Sequence, residues 1–322
     1  MDAWQILLII LLSIIALLVF VLAVAYITYR ITFFSNRNKG NDAYLKKVMK
    51  SYGEYGEHFK TLTENINATE WERVFIESYD GLRLSARYYH SSDTAPLHIL
   101  FHGYRSRAEF DMSGGVYECM SLSHNVLLVD QRAHGESEGK SISFGINERL
   151  DLLLWCEYAK ERFGDDVKIF IWGLSMGGAT VLMSLDLPLP RNVLAAVADC
   201  PYSSPEDIIK RVARSIHAPI ALLFPFLRLG AMIFGGFRLG EISAEKSVSE
   251  SKIPVLLIHG ERDGYVPCEM SEKMAELATA RGVDVRFVKF ENASHGMSYL
   301  ENTEKYRRIA SDFINEILER NK

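Results

Sequence analysis

The stretch "FIWGLSMGGAT", Phe170–Thr180, decides how this chain is read. An apolar run leads into Gly-Leu-Ser-Met-Gly, and small residues follow. Strand, Gly-x-Ser-x-Gly turn and helix, in that order, form the context of a nucleophile elbow, a strained turn that lifts one serine hydroxyl clear of a sheet edge. Gly173 and Gly177 remove side chains where strand and helix would collide. The helix behind Ser175 offers N–H groups and the positive end of its dipole to a developing oxyanion. The same pattern also describes an ordinary glycine-bounded turn, so the rest of the chain must supply what a reactive serine needs.

A serine hydroxyl is a weak nucleophile that requires a base, and the base requires an orienting group. In an elbow protein the acid and then the histidine follow the serine along the chain. "HGERDGYVP" (259–267) puts Asp263 just past an apolar run, and "NASHGM" (292–297) puts His295 just past another. Parallel strands share one carboxyl edge, so both loops are expected beside Ser175. Asp199 and Asp130 also end apolar runs and are the rival acids. Asp130 opens "DQRAHGES" and is expected to organise that loop with Arg132 and His134. His102, His134 and His259 are rival bases, but none follows the last strand. Two N–H donors are expected for an oxyanion hole, those of Met176 and of Tyr104 in the loop after "LHILFHG" (97–103).

Outward from these residues, "RVFIES", Asp80-Gly81 and "LRLSARYY" read as a hairpin. "LHILFHG", "NVLLVD" (125–130), "VKIFIWG" (167–173), "VLAAVAD" (193–199), "PVLLIHG" (254–260) and "VRFVKF" (285–290) read as buried strands. Helical stretches are expected near 113–123, 147–164, 176–186, 268–281 and 301–320. The fold class is therefore α/β, a mostly parallel eight-stranded sheet with helices on both faces. Residues 201–252 interrupt the pattern with an apolar segment broken by Pro219, Pro225, Gly230, Gly235 and Gly236. A short helical cap whose apolar face lines a cavity fits it better than a second membrane span.

The N-terminus stands apart. From Trp4 to Thr28 no residue is charged, and the length suits the ~20 residues that cross a bilayer. A cleaved signal peptide is the rival, with Ala23-Val24-Ala25 as its cleavage site. The missing basic n-region and the long apolar run favour an uncleaved anchor over residues 1–30. Residues 31–70 read as a polar linker with a helical connector interrupted at Gly53 and Gly56, and 71–322 as the catalytic domain. Arg30, Arg37, Lys39, Lys46, Lys47 and Lys50 follow the apolar run, so the positive-inside rule keeps the domain in the cytoplasm of a single-pass membrane protein.

The 322 residues carry a net charge of -5 and 24% charged residues, with no basic excess to suggest a nucleic-acid partner. The four cysteines are scattered and read as buried free thiols. No HExxH site or nucleotide-binding glycine loop occurs, so neither a metal nor a cofactor is expected.

"HGY", "DQRAHGES", "GLSMGG", "HGERDGYVP" and "SHG" together resemble the α/β-hydrolase superfamily over about residues 71–320. "DQRAHGES" is similar to a segment of its serine-aminopeptidase and monoacylglycerol-lipase-like branch. Anchor plus domain resembles bacterial membrane-associated hydrolases of uncertain substrate and their eukaryotic relatives. The resemblance implies Ser175, Asp263 and His295 as the triad, and Tyr104 and Met176 as oxyanion donors. The expected activity is hydrolysis of a carboxylic ester or thioester with an apolar part, lipid-like esters included. An aminopeptidase or amidase is the alternative, with Glu206 and Asp207 as candidates to hold a substrate amine. A non-catalytic membrane-tethered binding module is disfavoured, because all three triad members are present.

Overall fold

The computed structural model describes residues 2–35 and 52–322. Helix α1 (Ala3–Thr32) opens on a capping box between Asp2 and Gln5. The basic residues from Arg37 to Lys50, and the start of the connector, lie outside the described residues. A 3₁₀ turn (Gly53–Tyr55) leads into α2 (Gly56–Ala68), so the connector helix begins at the second of the two glycines and runs further than its sequence suggests.

Strands β1 (Glu72–Glu77) and β2 (Arg83–Tyr89) form the expected hairpin. At its turn the Ser78 hydroxyl donates to Asp80 and Gly81 takes φ +80°. Then come β3 (Leu97–Phe101), α3 (Ala108–Asp111), α4 (Ser113–Ser121), β4 (Asn125–Asp130), α5 (Glu148–Phe163), β5 (Ile169–Leu174), α6 (Met176–Met183) and β6 (Val193–Asp199). The intervening segment forms α7 (Pro205–Ser215), α8 (Ile220–Gly230), a π-turn (Ala231–Gly235) and α9 (Ala244–Val248). β7 (Val255–Gly260), α10 (Cys268–Ala280), β8 (Val285–Phe290), α11 (Ser298–Glu301) and α12 (Thr303–Arg320) complete the chain. The helices expected near 113–123 and 301–320 form as α4 and α12, each preceded by a short separate turn, α3 and α11. Met112 separates α3 from α4, and Asn302 caps α12 by accepting from the Lys305 N–H.

The sheet has eight strands in the order β1-β2-β4-β3-β5-β6-β7-β8. β1 and β2 are antiparallel to their neighbours, and the rest run parallel. Alternate residues of a strand point to opposite faces, and the core divides accordingly. Ile99, Leu127 and Ile171 join α5 and α6 on one face, whereas Leu100, Leu128, Phe170 and Trp172 join α4 and α12 on the other. Burial on both faces explains why these strands read as continuous apolar runs.

Helix α1 changes character along its length. Residues 2–20 are exposed all round, whereas Ala25, Thr28, Tyr29 and then Phe33 are buried at helical spacing. They pack against α8 and the π-turn. Gly230 makes this possible, since a Cβ there would stand 2.3 Å from the Ala25 carbonyl oxygen. Beyond the helix, Ser35 N–H donates to the Lys140 carbonyl and Ile142 N–H to that of Phe33.

Candidate active site

The turn between β5 and α6 holds Ser175 at φ 55°, ψ −113°, a conformation that costs a non-glycine residue roughly 1–3 kcal/mol. Its N–H donates to the Asp199 carbonyl at 2.8 Å, and its carbonyl accepts from Ala179 at 2.9 Å. The flanking glycines are sterically obligatory. A Cβ on Gly173 would lie 2.1 Å from Gly177 backbone, and one on Gly177 would lie 2.0 Å from the Phe101 carbonyl oxygen.

The loops after β7 and β8 bring Asp263 and His295 to this turn. Ser175 Oγ lies 2.9 Å from His295 Nε2, and His295 Nδ1 lies 2.6 Å from Asp263 Oδ2. The consistent assignment puts the ring proton on Nδ1, donated to the carboxylate, which leaves Nε2 to accept from the serine. The other carboxylate oxygen accepts from the Tyr265 and Val266 N–H groups. Burial by itself would raise the Asp263 pKa. Hydrogen bonds from His259, His295 and Val266 outweigh it and hold the carboxyl well below the usual range.

The rivals are engaged elsewhere. Asp199 ends β6 but accepts from the Ser298 hydroxyl, and burial pushes its pKa up to about 6. Asp130 accepts from the Glu136 N–H and packs against Gly135, where a Cβ would come within 2.3 Å of it. Arg132 turns instead to Asp151 and Asp80. His102 accepts from the Gln131 N–H and donates to the Gly103 carbonyl. His134 accepts from the Arg105 N–H and donates to the Arg132 carbonyl. Burial lowers their pKa values to about 4 and about 3, so both rings are neutral struts. His259 is the exception: buried between the Ser271 hydroxyl and the Val266 carbonyl, it also brings Nε2 within 3.3 Å of Asp263 Oδ2 and so supports the acid from behind.

Tyr104 and Met176 flank the serine from two loops. Among the described residues neither backbone N–H donates to a protein acceptor, while the neighbouring Gly103 and Arg105 N–H groups are both used. Two free donors beside a half-buried hydroxyl can receive negative charge that develops on a carbonyl oxygen. Sequence reading missed Asp111, whose carboxylate holds the Gly103 N–H at 2.7 Å and the Ser106 hydroxyl at 2.5 Å. No motif marks it, because its role arises only once α3 folds back over the loop.

The four cysteines are free and buried. Cys200, Asp263 and His295 offer ligand atoms within 4.8 Å of one another. Asp263 and His295 already bond each other there, and burial pushes the Cys200 thiol well above its usual range, against the thiolate a metal needs. Glu206 pairs with Lys210 and Arg228, and Asp207 accepts from the Ser203 and Ser204 hydroxyls, so the carboxylates considered for an amine are already occupied. A cavity of about 50 Å³ adjoins the elbow, walled by Phe59, Leu62, Phe110, Met112, Trp172 and Leu174 among others. None of its walls comes from residues 201–252. The cap's apolar face is spent on α1 instead, because Gly230 lets the two helices touch.

Comparison with known proteins bears on the fold and the family. The model of the alpha/beta hydrolase fold family matches residues 99–218, and that of the prolyl oligopeptidase family matches residues 237–321. The chain is 28% identical over 252 residues to the uncharacterized protein YqkD of Bacillus subtilis, covering 78% of this chain and 81% of that one. It is 27% identical over 271 residues to lysophosphatidylserine lipase ABHD12 of Danio rerio, covering 78% and 67%. The Pyrococcus furiosus esterase Pf2001 superposes with a TM-score of 0.63 at 25% identity, over 81% of this chain and 93% of that one.

Proposed function

We propose, on the premise that this chain is a member of the α/β-hydrolase superfamily, that it is a membrane-anchored serine hydrolase of carboxylic esters. Ser175 Oγ attacks the ester carbonyl and passes its proton to His295 Nε2. Asp263 holds the imidazole and balances its positive charge. The Tyr104 and Met176 N–H groups receive the oxyanion. Collapse of the tetrahedral adduct breaks the bond to the leaving alcohol, which takes the proton from His295 and leaves an acyl-enzyme. Water, deprotonated by the same ring, then releases the acid and restores the serine.

The observation that carries this reading is the hydrogen-bond line from Ser175 through His295 to Asp263, at 2.9 and 2.6 Å. The named activity of the ABHD12 relative and the Pf2001 esterase favours esters over amides. The occupied state of Glu206 and Asp207 removes the sequence feature that favoured a peptidase.

Helix α1 is the proposed single-pass anchor. It is 30 residues long and uncharged from Ala3 to Tyr29, with mean hydropathy 3.5 in its most apolar window. Arg30 follows the apolar run and favours a cytoplasmic body. The three-part organisation, anchor 1–30, connector 31–70 and catalytic domain 71–322, belongs to the same proposal.

A fluorophosphonate probe tests the catalytic reading. The wild-type chain is labelled and Ser175→Ala is not. A folded wild-type chain that resists the probe overturns it.

A further inference from the structure

We infer that the tip of the cap hairpin is embedded in the lipid leaflet that faces the hydrolase body, beside α1. This inference rests on the reading of α1 as a membrane span. Three contacts give the relative direction of the helices. Gly230 meets Ala25, Phe234 packs edge-on against Tyr26 and tilted against Tyr29, and Phe237 meets Phe33. As one chain advances so does the other, so α8 and its π-turn run parallel to α1. Helix α7 returns antiparallel, with Glu206 against Arg228 and Lys210 over the Phe224 ring. The hairpin tip at residues 216–219 therefore points toward the N-terminal end of α1.

Depth follows from helix rise. Leu222 lies about 12 Å from Gly230, which puts it level with residue 17 of α1. Crossing of the two axes shortens that reach to about 9 Å, level with residue 19. From Ala3 to that level α1 is only about 21–24 Å long, short of the ~30 Å hydrocarbon core it must traverse. If α1 spans, the tip cannot remain in water.

The surface of the tip fits that position. Ile216 and Leu222 are 70% and 67% exposed, and Met232, Ile233 and Phe234 continue the apolar surface up to Tyr26. Arg211 and Arg214 are exposed and have no ion-pair partner among the described residues. Their long stems can run along the acyl boundary while the guanidinium groups reach anionic headgroups. Aromatic residues Tyr26, Tyr29 and Phe234 cluster where a span meets water. With the cap in the leaflet, the site is held at the bilayer surface and takes esters that already reside there.

The test uses the full chain in vesicles of phosphatidylcholine and phosphatidylglycerol. An environment-sensitive fluorophore is attached at Leu222→Cys, at Ile216→Cys as a second tip position, at Leu11→Cys within α1, and at Leu277→Cys on the exposed face of α10. The four native cysteines are buried, and only variants with wild-type thermal unfolding are scored. Lipids carrying a doxyl quencher near the headgroup are expected to quench the 222 and 216 labels at least twofold, lipids carrying it at mid-chain to quench the Leu11 label, and both to leave the 277 label unchanged. A quenched Leu11 label with unquenched tip labels overturns the cap inference and leaves the span intact. An unquenched Leu11 label overturns both. A tip label that shifts blue in detergent as protein concentration rises is covered by a second copy of the chain, which also overturns it.

Discussion

The Tyr104 hydroxyl donates to the Thr32 carbonyl at 2.7 Å and so ties the last turn of α1 to the loop whose N–H group is proposed to bind the oxyanion. Arg105 adds two bonds, from its guanidinium to the carbonyls of Ile31 and Phe34, at 2.8 and 3.0 Å. Helix C-termini leave carbonyls unsatisfied, and a cation is a favourable cap for them. Here the cap is borrowed from the candidate active site. Asp111 and His134 hold the same loop from the other side through the Gly103 and Arg105 N–H groups. The helix and the site are thus one mechanical unit.

Releasing that tie should therefore slow chemistry more than binding. Tyr104→Phe leaves the Thr32 carbonyl without its donor, and Arg105→Gln frees two more. Each change is expected to cost about 0.5–1.5 kcal/mol of stability. The value of kcat on a water-soluble p-nitrophenyl ester should fall severalfold, with KM within about twofold, because the misplaced N–H serves the transition state. Steady-state kinetics and thermal unfolding of the full chain in detergent check this. Unchanged kcat and Tm in both variants would sink it.

The two carboxylates at neighbouring strand ends should separate cleanly. Asp263→Asn removes the acceptor that fixes the His295 tautomer and is expected to lower kcat by about 10³- to 10⁴-fold. Asp199 contacts Ser298 and not the imidazole, so Asp199→Asn should stay within about tenfold of wild type. The opposite ranking in ester turnover would reassign the acid.

The extent to which this site was legible in the sequence follows from how local each signal is. Ser175 lies within one five-residue motif that steric exclusion enforces at Gly173 and Gly177. Asp263 and His295 lie just past apolar runs, and strand ends are legible because a parallel sheet needs continuous apolar strands. Asp111 was invisible because it works through a fold-back between α3 and the loop after β3. The partnership of Gly230 with Ala25 was equally hidden. Gly230 looked like a breaker in an apolar cap, yet its missing side chain is what admits α1. Nothing local marks a contact across roughly 200 residues of chain.

Asp199 also gives a pH prediction. Burial raises its folded-state pKa to about 6, from an ordinary value of 3.8. A group with a raised folded pKa contributes stability below its unfolded value and loses it as pH rises through the folded value. Asp199→Asn does not titrate. Its stability relative to wild type should therefore improve between pH 4 and pH 8, by up to about 3 kcal/mol. The neutral buried His102 and His134 pull the other way in both proteins and cancel in the comparison. Urea unfolding of the two proteins at both pH values measures the difference. A variant-minus-wild-type stability that stays flat or falls toward alkaline pH would contradict the assigned burial cost.

The elbow strain itself should be measurable. Ser175 holds φ 55° with ψ −113°, a region that glycine occupies without a Cβ penalty. Ser175→Gly relieves that penalty but adds backbone freedom to the unfolded chain, worth about 0.4–1 kcal/mol against it. Set against roughly 1–3 kcal/mol of stored strain, the net is a gain of about 1 kcal/mol, or about 2 °C in Tm for a chain of this size. Ser175→Ala keeps the Cβ and should show no such gain. Both variants should lose fluorophosphonate labelling entirely. Activity and stability would then oppose each other at one atom pair, the serine Cβ that strains the turn and the Oγ that it carries. A Tm that rises equally in both variants would place the strain in the hydroxyl's surroundings, and not in the backbone.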